Sequence, residues 1–315
     1  MILFTADWHL KVGQKNVPAD WAINRYSLLF KEIYKLEKEV DLHIIGGDLF
    51  DRTPSMTELE LYFEFISGVS VRTLIYDGNH EATRKNKTFL TQLKKASKEV
   101  NPLIEIVDSI HIEDHFGVLP YCVLHGKWKK DNFDINKPMF THVRGAIPPH
   151  VTPEIDLEKF KDFDIIFAGD LHSHSNTQLN IVYPGSPVTT QFHRGIVKTG
   201  YILIDNNSWK WKEFNLPQLI RKTITSEKEM IKTDFHHTIY EIEGDISQLG
   251  IINNSELLDK KVIKRSTETS LYLKKDMSIE EELTEYLKYI LELEDDRVKE
   301  VVSTFHDYSK KVAVG

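Results

Sequence analysis

Residues 1–10 read Met-Ile-Leu-Phe-Thr-Ala-Asp-Trp-His-Leu, an apolar run that ends abruptly in a carboxylate and an imidazole. A run this short, rich in apolar residues and bounded by polar ones, predicts a buried strand with Asp7 and His9 just past its end. Beyond it, residues 23–40 carry apolar side chains at helical spacing with a Lys/Glu-rich opposite face. The unit then repeats: a strand at 42–46, a helix at 57–66, a strand at 71–76 and a basic helix from about Lys85 to Lys98. Alternation of this kind predicts an α/β fold, a sheet flanked by helices.

From about Leu103 the pattern changes to short apolar segments at 104–107, 117–124, 140–143, 165–168, 181–183, 200–204 and 209–214, broken by Pro, Gly and Asn. These read as strands. Leu216-Pro217 closes the series, and the following hundred or so residues are richer in Lys and Glu, with a strand expected at 237–242 and amphipathic helices near 279–293 and 296–310. The expected division is therefore 1–215 and 216–315. No repeat of fixed period and no low-complexity tract interrupts it.

With 315 residues, 41% apolar and 10% aromatic, the chain can bury a substantial core. Its opening apolar run lacks a basic lead-in and is too short for a secretory h-region, and no stretch approaches the roughly eighteen apolar residues of a membrane span. A soluble cytoplasmic protein is expected, with no membrane partner. The single cysteine, Cys122, excludes an intramolecular disulfide and reads as a small core residue. The net charge of -8, from 48 acidic and 40 basic residues, argues against nucleic-acid binding through bulk positive charge alone. Acids gathered around divalent cations would count differently, because the ions are the largest local charges in such a site.

What singles the sequence out is where its acids, imidazoles and amides fall relative to the expected strands. Asp7 and His9 follow the first, Asp48 and Asp51 the second in Gly-Gly-Asp-Leu-Phe-Asp, and Asn79 and His80 the third in Asp-Gly-Asn-His-Glu. His142 follows 139–141, and Asp170 and His172 follow 165–168 in Ala-Gly-Asp-Leu-His-Ser-His. In open α/β sheets the carboxyl edge of the strands is where sites are built. Carboxylate, imidazole and amide oxygen together suit two divalent ions with one carboxylate between them, a pair able to bind a phosphoryl group and lower the pKa of a bridging water. That chemistry is phosphate-ester hydrolysis. Gly46, Gly47, Gly78 and Gly169 would let the backbone approach the ions without a Cβ in the way. Taken singly, Asp-x-His also describes a helix N-cap beside a surface histidine, and Gly-Asp and Gly-Asn are ordinary turns. The ordered set, each member behind an apolar strand, is what carries the reading.

At these residues the sequence resembles the calcineurin-like metallophosphoesterases, whose signature is D-x-H, G-D-x-x-D, G-N-H-[DE], a lone His and G-H-x-H. The likeness spans about residues 1–205. Asp7-Trp8-His9-Leu10, Gly47-Asp48-Leu49-Phe50-Asp51 with Pro54-Ser55 beyond, and Tyr183-Pro184-Gly185-Ser186-Pro187 further resemble the DNA-repair nuclease branch, that of the bacterial SbcD-type subunit and its phage counterparts. The resemblance implies a four-layer α-β-β-α sandwich with a small C-terminal α+β capping domain. It also implies DNA exonuclease and single-strand endonuclease activity, a homodimer and an SbcC-type ATPase partner. Carried over residue by residue, it gives one ion to Asp7, His9 and His172 and the second to Asn79, His142 and residue 170, with Asp48 bridging and His80 as the acid/base group. The ions implied are manganese, with magnesium as the alternative.

One position departs from the pattern: Asp170 stands where the first His of G-H-x-H is usual. Either Asp170 is an oxygen ligand, favouring manganese or magnesium over zinc, or the loop shifts and His174 takes its place. Of the other histidines, His43 reads as a core residue and His111, His115, His150, His236, His237 and His306 as surface residues, while His193 and Arg194 are candidates for lining the cleft. Trp128, within Gly126-Lys127-Trp128-Lys129-Lys130, would either stack on a base or sit in a solvated loop. Lys85, Lys87, Lys94, Lys95 and Lys98 are candidate phosphate contacts.

Two other functions compete. A phosphomonoesterase or cyclic-nucleotide diesterase of the same superfamily would share Gly-Asp-x-x-Asp-Arg and Gly-Asn-His-Glu, but the Arg that precedes the latter in serine/threonine phosphatases is Asp77 here. A non-catalytic scaffold is disfavoured by the intact Asp48, Asn79, His80 and His142.

Overall fold

A strand covered on both faces must be apolar at every position, whereas one covered on a single face alternates. In the computed structural model, which describes residues 1–84, 87–126, 128–206, 208–263, 277–291 and 293–313, the strand β2 (Leu42–Gly46) is buried throughout. Its neighbours are β1 (Ile2–Thr5) and β3 (Arg72–Tyr76), both parallel to it. The crossovers between them are the helices α1 (Ala19–Leu36) and α2 (Met56–Gly68). The start of α2 is fixed by a capping box in which Glu58 N–H donates to Ser55 Oγ and the Ser55 N–H donates back to the Glu58 carboxylate.

After β3 comes a hairpin of β4 (Ala82–Arg84) and β5 (Lys87–Thr88), then α3 (Leu90–Val100) and β6 (Ile104–Val107). The expected basic helix therefore begins only at Leu90, and Lys87–Thr88 within its expected span are strand. Lys85 lies outside the described residues, as does Lys127. Further along are β7 (His111–Ile112), β8 (Gly117–Leu119), the one-turn helix α4 (Tyr121–Leu124), β9 (Met139–His142), β10 (Ile166–Gly169) and β11 (Ile181–Val182). The apolar stretch at 117–124 is thus not one strand. Pro120 has no N–H to give a ladder and sits as N-cap of α4 instead. The chain continues through β12 (Gly200–Asp205), β13 (Ser208–Glu213), β14 (Leu219–Ile224), β15 (His237–Gly244), α5 (Ile246–Ile251), β16 (Leu258–Ile263), α6 (Ile279–Tyr289) and α7 (Asp295–Ala313).

Two sheets dominate. One runs β13-β12-β1-β2-β3-β6, the other β11-β10-β9-β8-β7. They are joined by a core in which Phe4, Ile44, Leu74 and Tyr76 of the first meet Val118, Phe140, Phe167 and Val182 of the second. The Phe140 ring lies 5.2 Å from Phe4 and 5.4 Å from Phe167. The outer face of the first sheet packs Leu3, Ile45 and Ile75 against Tyr26, Leu29, Phe30, Phe65 and Ile66 of the helices. The outer face of the second is covered by a 3-10 turn at Leu157–Phe160, α4 and loops, which bury Phe160 and Phe163. This is the expected α/β sandwich, its fourth layer made of single turns rather than full helices.

Met1–Ile242 and Ile252–Lys261 form one compact unit, and Glu243–Ile251 with Val262–Gly315 a second. Within the first, β14 pairs parallel with β15, in register Leu219 to His237. In the second, α6 and α7 pack on each other, and α6 opens with a capping box of Ser278 and Glu281. Among the described residues no helix is long and apolar enough to cross a membrane.

Candidate metal centre

Because β1, β2, β3, β9 and β10 are parallel within their sheets, their carboxyl ends collect loops at one edge. Asp7, His9 and Asp48 all take positive φ (58°, 45° and 50°), a strained conformation for residues with a Cβ. Hydrogen bonds from distant segments hold it. Asp7 N–H donates to Gly47 O and His9 N–H to Asp48 O. Tyr26 Oη donates to His9 O at 2.6 Å, and the Ser186 hydroxyl reaches Asp7 O at 2.5 Å. Ser186 belongs to the Pro-Gly-Ser-Pro turn, where Gly185 has φ 75° and Ser186 N–H donates to His172 O. That turn therefore ties the first loop to the last.

The side chains then converge. His9 Nε2 is 3.0 Å from His172 Nε2 and 3.6 Å from Asp48 Oδ2. His142 Nε2 lies 3.5 Å from Asp48 Oδ2 and 3.9 Å from Asp170 Oδ1. One end of the Asn79 carboxamide sits 2.9 Å from His142 Nε2, 3.1 Å from Asp48 Oδ2 and 3.3 Å from Asp170 Oδ1. Three close sets of ligand atoms result: Asp7, His9 and His172; His9, Asp48 and His80; Asp7, Asp48 and His142. The glycines make room for them, since a Cβ on Gly78 would fall 2.2 Å from Asp48 Oδ1 and one on Gly47 2.6 Å from His142 Nδ1.

These residues fit a pair of cations. Asp7 Oδ2 is buried with no hydrogen-bond partner among the described residues. With the Asn79 oxygen turned inward, its lone pairs face those of Asp48 Oδ2 and Asp170 Oδ1, which a cation would stabilise; with its NH2 inward, it donates to those oxygens instead. The protons point the same way. Burial, with Asp48 and Asp170 adding and His142 opposing, raises the Asp7 carboxyl well above the usual range. Burial also pushes Asp48 up, but His142, His9 and His80 outweigh it and hold that carboxyl low. Burial disfavours the His142 cation, yet Asp48, Asp7 and Asp170 prevail and raise its pKa to about 9. His172 goes the other way, down to about 3, through burial and the nearby His9.

A divalent ion entering at neutral pH must therefore displace a proton from His142 but none from His172. Affinity for a divalent ion is expected to climb as pH rises from 6.5 toward 9 and to level off above, with proton release seen by calorimetry in buffers of different ionisation enthalpy. A flat affinity profile across that range contradicts the protonated His142.

His80 stands apart. Its Nδ1 is 2.5 Å from Asp51 O, and a carbonyl only accepts, so Nδ1 carries the proton and Nε2 is left toward the cleft. An open cleft of about 360 Å³ is lined by Asp48, Asn79, His80, Arg144, Asp170 and His172. His150, exposed as the sequence suggested, lines it too.

Several supporting residues are not marked for this role by the sequence, although Glu81 ends the Asp-Gly-Asn-His-Glu motif. Glu81 is fully buried and accepts the N–H groups of Asp48, Phe50 and Gly78, knitting two site loops together; burial and Asp48 push its pKa up to about 8. Thr190 Oγ1 lies 3.0 Å from His172 Nδ1 and orients that ring. Arg144 holds Asp170 through two hydrogen bonds.

Other expectations resolve differently. His174 turns its Nδ1 to Tyr183 O at 2.7 Å and stacks on Trp211, while the Asp170 carboxylate faces His142. Trp8 is fully buried against Phe65, its indole N–H bonded to Thr5 Oγ1, so its role is packing beneath the first loop. Trp128 stacks on Phe160 in the second sheet's outer core rather than offering a face to a base. Arg194 pairs with Glu241 at 2.5 Å and stays exposed, whereas His237, expected at the surface, is half-buried, packs on Trp21 and bonds Asn16 O. His43 is buried and bonded to Thr5, as expected.

A sandwich of two sheets with carboxylates, imidazoles and an amide gathered at their common edge defines a metal-dependent phosphoesterase. Residues 1–174 match the calcineurin-like phosphoesterase family, and the chain belongs to that family. Over 98% of its length, and 98% of the relative's, it is 38% identical to the "Probable exonuclease subunit 1" of Escherichia phage T5. It is also 25% identical to the "Putative phosphoesterase 244L" of Invertebrate iridescent virus 6, over 72% of this chain and 83% of that protein.

Proposed function

We propose that the protein is a DNA nuclease that hydrolyses phosphodiesters with two divalent ions, manganese or alternatively magnesium. The observation that carries this reading is the convergence of Asp7, His9, Asp48, Asn79, His142, Asp170 and His172 beside an open cleft, in a chain alike from end to end to a phage exonuclease subunit. Ions held there would supply Lewis acidity toward the phosphoryl group and lower the pKa of a water. Asp7, His9 and His172 would hold the first, Asn79, His142 and Asp170 the second, with Asp48 shared. His80, protonated at both nitrogens, would give its Nε2 proton to the leaving oxygen while Nδ1–H stays on Asp51 O.

Manganese-dependent cleavage of end-labelled single- and double-stranded DNA, run beside a small phosphomonoester, tests the reading. DNA cleavage with negligible monoester turnover is expected, whereas monoester hydrolysis without DNA cleavage would transfer the assignment to a phosphatase.

Asp170 is the ligand this reading favours over His174, because its carboxylate faces His142 whereas His174 is committed to Tyr183 O. Asp170→Ala should therefore demand far more manganese for half-activation, and His174→Ala should not. Loss on His174→Ala alone reverses the choice.

Substrate contact is assigned to the β4–β5 hairpin, where Arg84 and Lys87 are exposed shortly after His80. Reversing both charges should weaken DNA binding and lower the slope of log K against log salt by about one for each phosphate no longer neutralised. An unaltered slope removes the hairpin from the interface.

The reading further includes residues 216–315 as a cap and partner-contact region of the nuclease domain 1–215, a homodimer, an SbcC-type ATPase partner and a cytoplasmic setting. Exposed Ile279, Tyr286, Tyr289 and Leu291 on and just after α6 support a partner there, since apolar side chains grouped on a surface mark interaction sites.

A further inference from the structure

Arg144 sits two residues after His142 and is bound to the one site position at which this chain departs from its family's pattern. Its Nε and Nη2 each lie 3.1 Å from a different oxygen of Asp170, a fork matched to the carboxylate. The remaining Nη1 is 3.1 Å from Glu154, whose other oxygen accepts from Tyr121 Oη at 2.7 Å. Tyr121 in turn lies edge-on to the His142 ring at 5.9 Å. Asp170 is thus held in a chain of charged and polar groups that returns to the metal site.

Charge accounting gives this chain a purpose. An aspartate in place of a neutral histidine adds one negative charge beside Asp7 and Asp48, and Arg144 adds one positive charge to the same carboxylate. The pair is neutral, as the histidine would be, but presents oxygen instead of nitrogen. Each carboxylate oxygen spends one lone pair on the fork and keeps another. Oδ1, the oxygen nearer His142 and Asn79, can therefore bond the guanidinium and a cation together.

We propose that Arg144 is a positioning residue that fixes Asp170 and cancels its charge, making it a competent oxygen ligand for the second ion. The proposal rests on the two-ion reading above. The guanidinium acts through Asp170, and without it three carboxylates would crowd the site with one of them free to swing away.

The test is manganese binding to the metal-free full chain at fixed pH, by calorimetry and by electron paramagnetic resonance, in wild type, Arg144→Gln, Arg144→Lys, Asp170→His and the double variant Arg144→Gln/Asp170→His. Two ions in the wild type, with the broadened signal of a coupled pair, are required first; a single ion or none overturns the two-ion reading itself and the proposal with it. Given two, Arg144→Gln should weaken the second ion by roughly 10–100-fold, the usual cost of losing an outer-shell partner, and leave the first unchanged. Arg144→Lys keeps the charge without the fork and should weaken it less. Asp170→His alone leaves the arginine charge uncancelled and should also lose the second ion, while the double variant should recover it with the coupled signal. Wild-type affinity in Arg144→Gln or Arg144→Lys, equal loss of both ions, or no recovery in the double variant overturns the proposal.

Discussion

Asp48→Asn is expected to abolish DNA cleavage and to lower the affinity of both ions, leaving the fold intact. Asp48 faces both histidine groups, at 3.6 Å from His9 Nε2 and 3.5 Å from His142 Nε2. Asparagine keeps the shape and one oxygen, so the His80 N–H bond to Oδ1 can survive. What is removed is the negative charge that, on the two-ion reading, would lie between the cations. The effect should exceed the roughly 10–100-fold that removal of an outer-shell partner costs. Calorimetry with manganese and circular dichroism together check it: binding abolished at both sites with an unaltered spectrum is predicted. Loss of one ion with the other intact would deny Asp48 its shared position.

His80→Asn should lower the rate of DNA cleavage by about 10²–10⁴-fold, the usual range for a general acid, with manganese stoichiometry and DNA affinity unchanged. His80 comes within ligand distance of His9 and Asp48, and its hydrogen bonding and exposure are what favour the acid role. Its Nδ1 is committed to Asp51 O, its Nε2 is 3.9 Å from Asp48 Oδ2, and the side chain is 36% exposed, open to the cleft. A ligand would be buried as His142 is. A diester whose leaving group is a nitrophenolate needs no proton from the enzyme, so the variant should lose far less activity on that substrate than on DNA. Equal loss on both, or loss of a metal ion, would make His80 a ligand or a structural residue.

How much of the fold and site is legible in the sequence depends on whether the cause is local. β1, β2 and β3 lie between the two layers that cover them, and their continuous apolar runs announce them; the ligand-bearing loops follow at their ends. β14 escapes because Leu219–Ile224 interrupts its apolar residues with Arg221, Lys222 and Thr223, and β16 because Lys260 and Lys261 break it. The start of α3 is misplaced because lysines at 85 and 87 suit a helix surface by propensity, whereas the chain first makes a hairpin. Within the site, residue types and strand ends bring the metal-binding set together on paper. What the supporting groups hold does not show, even for Glu81 and Ser186, which lie in the Asp-Gly-Asn-His-Glu and Pro-Gly-Ser-Pro motifs, because each acts across a long separation: Tyr26 on His9 over 17 residues, Glu81 on Asp48 over 33, and Ser186 on Asp7 over 179. Arg144 is nearer, but an arginine after a histidine carries no signal until Asp170, 26 residues on, is known to face it. Trp8 marks the nuclease branch by resemblance alone, and its burial against Phe65 supplies a physical reason for a large aromatic there, namely support for a strained loop.

A pair of ions sharing Asp48 stands at the centre of all of this, and anomalous scattering from a manganese-soaked crystal tests it most directly. Two peaks are predicted, one contacting Asp7, His9 and His172, the other Asn79, His142 and Asp170, with Asp48 touching both. A single peak, or a second peak coordinated by His174 with Asp170 left on Arg144 alone, would contradict it.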